Sequence, residues 1–247
     1  MAASFGLKRA ESLRSAPLAA VLLLSVFSPS AAALCGAEAG LAKVSADKME
    51  QEWPLRPSGD PVGAYLQRLG LRVAPQQEVI SPGRYLTWDW PSDWRFRAVR
   101  DLAPNAFSIG DGHTYVTDGA ILAAASEAEI AAILAHEMGH QLAGHFCSNS
   151  DGDGGRSRAV GSIHQVVDLG REMEADRMAM DILRAANFPP GTMLDVVRKM
   201  SAKDSVSRRQ RQEREQELLN QLRGTPILPV PPSSEEFAAI RQTLRSR

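Results

Sequence analysis

Cysteine is close to absent from this chain: Cys35 and Cys147 are the only two in 247 residues. They allow one disulfide at most. Bridge and free thiols both stay open, because the choice turns on a Cα separation that spacing along the chain does not supply. Charge of one sign is missing as well. With 28 basic and 29 acidic residues the formal net charge is −1, and neither sign gathers into a tail. Nothing electrostatic therefore favours nucleic acid or an anionic membrane surface, and no nucleic-acid partner is expected. Long apolar runs are lacking too. The uncharged stretch from Ala16 to Phe27 falls short of the about 20 residues that cross a bilayer. No internal repeat stands out, and histidine is scarce, with five in the chain.

What is present begins with a leader-like segment. Lys8, Arg9 and Arg14 precede the uncharged stretch, Pro29 breaks it, and Ala31-Ala32-Ala33 offers the small residues of a cleavage site. Residues 1–33 are expected to be a secretory signal peptide and residues 34–247 the mature chain, exported to the periplasm. A retained N-terminal anchor is the alternative. A lipid-modified Cys35 is a third, although Leu34 is bulky for lipoprotein processing.

Beyond the leader, 44% hydrophobic and 23% charged residues are ordinary for a globular domain. An Ala-rich stretch from Leu34 to Trp53 has no sharp period. Val62 to Leu71 places Tyr65, Leu66 and Leu69 on one helical face. The run from Trp94 to Arg100 alternates apolar and basic, as a half-buried strand does. Ala106 to Ile109 and His113 to Thr117 read as two further strands around the tight turn Gly110-Asp111-Gly112. Helices follow. Ser126-Glu127-Ala128-Glu129 is a capping box opening a helix to about Phe146. The glycine-rich segment 148–157 is a loop, without the length or terminal glutamate of a calcium-binding EF-hand. A second long helix is expected from Ala159 to Ala186, and others from Met193 to Met200, Ser205 to Leu222 and near Ser234. The charged, Gln-rich helix from Ser205 reads as solvated. Few strands followed by many helices predict an α+β fold, mainly helical, with a small sheet.

His136-Glu137-Met138-Gly139-His140 carries the chemistry. Side chains four apart share a helix face, so both histidines can hold one ion, with Glu137 beside them as general base. Ile130, Ile133 and Leu134 show that this face is buried, and buried histidines need a partner. Catalytic zinc takes three protein ligands and leaves one position open. His145 lies at the wrong offset for a third ligand and reads as a surface or second-sphere residue. Glu172, in Glu172-Met173-Glu174-Ala175-Asp176, is the better candidate. Asp176, one turn on, is placed to accept an N–H from a ligand histidine, and Glu174 faces away.

This pairing of HExxH with ExxxD resembles peptidase family M48, the zinc metallopeptidases that include the CAAX-processing proteases. Asn105-Ala106-Phe107, the glycine turn and Gly119-Ala120-Ile121-Leu122 are similar to further family segments. The likeness covers about Val62 to Ala186, with a helical tail over 187–247, and favours the soluble periplasmic branch. It implies a zincin-like domain with an active-site helix and one zinc per chain held by His136, His140 and Glu172. It also implies an edge strand, His113-Thr114-Tyr115-Val116, that aligns the substrate peptide. Two departures bear on function. The turn lacks the usual proline, and Leu228 to Ser234 lacks the histidine that many relatives place before the last helix. The transition-state donor is left among His113, His164 and Arg177.

The expected function is that of a zinc endopeptidase acting on unfolded or misassembled envelope proteins. The alternative is a chaperone-like outer-membrane assembly factor with weak or silent proteolysis. A closed structural zinc site would need His145 or His164 as a fourth ligand. Association with the envelope membrane is an open expectation. Oligomeric state is not legible.

Overall fold

The computed structural model describes residues 36–75, 93–146, 168–226 and 228–246, all within one compact unit, Ala32–Arg247. The leader, both cysteines, the aromatic run up to residue 92, the glycine-rich segment, the start of the 159–186 helix and His164 lie outside these residues. The chain order is α1 (Gly36–Glu52), α2 (Pro61–Val73), β1 (Arg95–Val99), β2 (Ala106–Gly110), β3 (His113–Thr117), α3 (Asp118–Ala123), α4 (Glu127–Leu142), α5 (Leu169–Ala185), α6 (Thr192–Lys199), α7 (Ser205–Leu222) and α8 (Glu235–Arg245). The fold is mainly helical α+β.

Local chemistry accounts for the ends of these elements. Asp60 caps α2 by accepting from Val62 N, with Pro61 in the first turn, where its missing N–H costs nothing. Ser126 caps α4 by accepting from Glu129 N. The return contact of that box is shifted by one residue, since Glu129 accepts from Ala125 N at 2.9 Å. Ser234 caps α8 and also donates to Glu127 Oε2, while its neighbour Ser233 accepts from Glu127 N at 3.0 Å. The last helix is thereby pinned to the start of α4.

The sheet order is β1-β3-β2, with β3 parallel to β1 and antiparallel to β2. β3 is therefore the central strand, and His113 to Val116 cannot be the free edge expected of them. Both of its backbone edges are taken by neighbours, and all five of its residues are buried. The edge beside α4 is β2. Thr117 N donates to Asn105 O at 2.9 Å, and the antiparallel alternation then turns the backbone groups of Ala106 and Ser108 away from β3. Among the described residues no strand pairs with that edge. The turn into β3 runs through positive φ at Gly110, Asp111 and Gly112.

One face of the sheet lies against α1, through the small cluster of Met49, Val99 and Tyr115 with Trp53 and Phe107. The other face joins the main core, in which α4 is central. Ile130, Leu134 and Met138 are fully buried there, each stabilising the fold by about 1.5–3 kcal/mol. Gly139 lets α5 approach: a Cβ there would stand 2.7 Å from Ala175 O. Gln141 fastens the end of α4 to the β2–β3 turn, accepting from Gly112 N at 2.7 Å and donating to Thr114 Oγ1 at 3.1 Å. The sheet and the two long helices thus meet around residues 136–141.

Candidate metal centre

His136 and His140 stand on adjacent turns of α4, their Nε2 atoms 3.1 Å apart. Glu172, in the first turn of α5, brings Oε2 to 3.4 Å from His136 Nε2 and Oε1 to 3.3 Å from His140 Nε2. Donors about 2.0–2.1 Å from a zinc ion at tetrahedral angles lie about 3.3–3.4 Å from one another, so the histidine pair and the carboxylate stand at about the spacing of such a site. Among the described residues this is the group of histidine and carboxylate side chains close enough to hold an ion. Lone pairs facing one another at these distances require a cation or a proton between them.

The surroundings give the same answer. Burial alone would lower the His136 pKa, but the carboxylates of Asp176 and Glu172 outweigh it and hold the ring at about 10. Burial would raise the Glu172 carboxyl; the two histidines and Arg214 instead drive it well below the usual carboxylate range. The cluster attracts positive charge. Glu137, Glu172 and Asp176 are balanced in part by Arg214, and one divalent ion would neutralise the rest. The residues present fit zinc.

Asp176 Oδ1 lies 3.0 Å from His136 Nδ1, with the ring N–H pointing off the line to that oxygen. Such a contact selects the tautomer that presents Nε2 to a metal. His140 is held differently. The expected helix to Phe146 stops at Leu142, because Gly144 adopts φ 65°. Gly144 N bonds Gln141 O and His145 N bonds His140 O, a Schellman closure that folds the chain back. His145 Nδ1 consequently lies 2.9 Å from His140 Nδ1, on the ring edge away from Glu172, and its Nε2 lies 3.3 Å from Glu174 Oε2. His145, expected at the surface or behind a site histidine, lies behind the His140 ring. Glu174, expected to face away, does leave the ligand face but meets His145.

Glu137 follows His136, and Ser108 Oγ on β2 donates to its Oε2 at 3.0 Å. Periodicity gave no hint of that contact, which depends on how β2 crosses α4. Arg214 was equally hidden. It sits on α7, read as a solvated helix, yet it is buried and donates to both oxygens of Asp176 at 2.7 and 2.8 Å and to Glu172 Oε2 at 2.8 Å. No sequence signal marks it among the arginines of α7.

The remaining expectations separate. His113, Thr114, Tyr115 and Val116 lie in the buried centre of the sheet. Arg95 Nη1 lies 3.3 Å from His113 Nε2, and burial, then Arg95, lowers the pKa of that ring. Arg177 is exposed on α5. No helix among the described residues is long and apolar enough to cross a membrane.

Comparison with known proteins gives a consistent picture. The profile described as "Peptidase family M48" matches residues 63–242. Over 165 residues, 54% of this chain, the sequence is 28% identical to a Vibrio cholerae protein named provisionally as a beta-barrel assembly-enhancing protease, covering 32% of that protein. Over 52 residues, 21% of this chain, it is 40% identical to mitochondrial metalloendopeptidase OMA1 of Schizosaccharomyces pombe, covering 15% of it. The chain thus spans about a third or less of the length of the curated relatives it matches.

Proposed function

The chain belongs to peptidase family M48, and on that footing we propose that it is a zinc-dependent endopeptidase acting on unfolded or misassembled polypeptides of the cell envelope. The observation that carries this reading is the meeting of His136 and His140, their Nε2 atoms 3.1 Å apart, with the Glu172 carboxylate, a different oxygen of which lies 3.3–3.4 Å from each ring, and with Glu137 next in the helix. Three ligands rather than four favour catalysis over a closed structural site, since His145 lies behind the His140 ring.

Zinc held there would supply Lewis acidity, activating water and polarising the peptide carbonyl. The protein's own part falls to a few side chains. Glu137 takes the proton of the attacking water on its carboxylate and delivers it to the leaving amide nitrogen. Ser108, bonded to one oxygen of Glu137, limits how far that carboxylate swings. Asp176 and His145 keep the two imidazoles turned inward. An extended substrate would pair with the outward backbone groups of Ala106 and Ser108, a recognition mode that asks little of side-chain sequence. β2 thus replaces β3 as the proposed substrate strand. Export to the periplasm is part of the proposal and rests on the leader-like residues 1–33.

A holding role for unfolded outer-membrane proteins is the second reading. One observation favours it: Ser233 and Ser234 are engaged on the start of α4, and Leu228 to Ser234 brings no histidine to the site. Metal analysis with a casein-degradation assay separates the readings. Wild-type protein is expected to carry one zinc and degrade casein, Glu137→Gln to keep zinc with turnover lower by about 10²–10⁴-fold, and His136→Ala to lose both. Zinc-loaded wild type that binds unfolded protein without cleaving it would leave the holding role standing and the peptidase reading refuted.

A further inference from the structure

α7 poses a problem that its sequence does not explain. Arginine and glutamate crowd it on every side, and only Arg214 and Leu218 are buried. A helix of that kind docks weakly. Burying a guanidinium is unfavourable unless matched carboxylates receive it. Here they are Asp176, gripped through both oxygens at 2.7 and 2.8 Å, and Glu172, touched at Oε2 alone at 2.8 Å. The two acids are one helical turn apart on α5, so one planar fork reaches both.

At Glu172 the fork holds Oε2 while both oxygens keep facing the histidines, Oε2 at 3.4 Å from His136 Nε2 and Oε1 at 3.3 Å from His140 Nε2. A carboxylate hydrogen-bonded from outside the site in this way is fixed in orientation before an ion arrives. The same fork holds Asp176, which lies 3.0 Å from His136 Nδ1. One side chain from α7 therefore bears on two of the three ligand residues, on Glu172 directly and on His136 through Asp176. Lysine, a point charge, could not span both acids in this planar way.

We infer that Arg214 is a positioning residue of the metal centre, holding Glu172 and Asp176 in the orientation in which an ion would meet them. The inference rests on the proposed metal site and extends it to α7, which becomes part of the centre. Without Arg214, the two carboxylates repel one another and Glu172 is free to turn from the histidines, so an ion would be held less tightly.

The test measures zinc affinity by competition with a chromophoric chelator in wild type, Arg214→Lys and Arg214→Met, with circular dichroism as the control for folding. Wild type should bind tightest, Arg214→Met about 10–100-fold more weakly, and Arg214→Lys between them, because one charge can hold one carboxylate. Should Arg214→Met fail to fold, Arg214→Gln carries the test, as its neutral amide holds one acid and not both. Wild-type affinity in the folded methionine or glutamine variant overturns the inference while leaving the metal site intact. Failure of wild type to bind zinc overturns the site itself, so the two failures are distinguishable.

Discussion

Ser108 is the smallest side chain with a part in the site, and its contribution can be isolated. Its hydroxyl donates to the Glu137 carboxylate at 3.0 Å and also lies 3.2 Å from Glu137 O. A hydrogen bond to a charged acceptor contributes about 1.5 kcal/mol or more, which in a transition state corresponds to about tenfold in rate. Ser108→Ala should lower kcat by about that factor with zinc content unchanged; stopped-time casein assays beside metal analysis check it. His145 makes a pH prediction. Burial and the adjacent His140 push its ring down to about 4, with Glu174 opposing. In the unfolded chain it titrates near 6.5, so between these values the unfolded state binds the extra proton. Stability of the zinc-free protein should therefore fall as pH drops from about 6.5 to about 4. In chelator-treated His145→Gln the dependence should flatten; a Tm–pH curve identical to wild type would refute the assignment.

At the scale of elements, the contact between α4 and α5 decides whether the two halves of the ligand set meet. Gly139 is the point of closest approach, where a methyl group would press on Ala175 O at 2.7 Å and on Ala175 Cα at 3.2 Å. Backbone on the facing helix cannot swing aside as a side-chain tip can. Gly139→Ala should cost about 1–3 kcal/mol by overpacking and weaken zinc binding, because it moves His136 and His140 relative to Glu172. Urea unfolding and chelator competition measure the two effects, and undiminished zinc affinity would show that the helices do not need this spacing. The turn after α4 has a similar logic. Gly144 supplies the left-handed residue that ends the helix and sends His145 back onto His140.

For the whole molecule, a metal at this centre would bridge α4 and α5 and, through Arg214, reach α7. An ion that binds only the folded state stabilises it by about 2.7 kcal/mol when present at about 100 times its Kd. Removing zinc with a chelator should lower Tm by several degrees, and zinc, but not magnesium, should restore it. A melt indifferent to chelator would count against a resident metal. The buried Arg56–Asp118 pair, at 2.6 and 2.7 Å, fastens the start of α3 to the chain before α2 without a residue of the metal centre, so that region should report the loss less strongly.

What the sequence by itself determined was whatever short-range chemistry encodes. Alternation located β1, one-face spacing α2, the runs about the glycine turn β2 and β3, and charged, Gln-rich composition α7, while the Ser126 cap placed the start of the helix bearing HExxH. Four-residue spacing put His136 with His140 and Glu172 with Asp176, and the histidine pair called for a third ligand from elsewhere. Only the tertiary structure decided the order of the strands, which moved the free edge from β3 to β2, because register between non-adjacent segments leaves no local mark. It alone chose Arg214 from the many arginines of α7 and set Ser108 against Glu137. Those contacts depend on how helices and sheet cross in space, and a crossing is a property of packed surfaces rather than of any one segment.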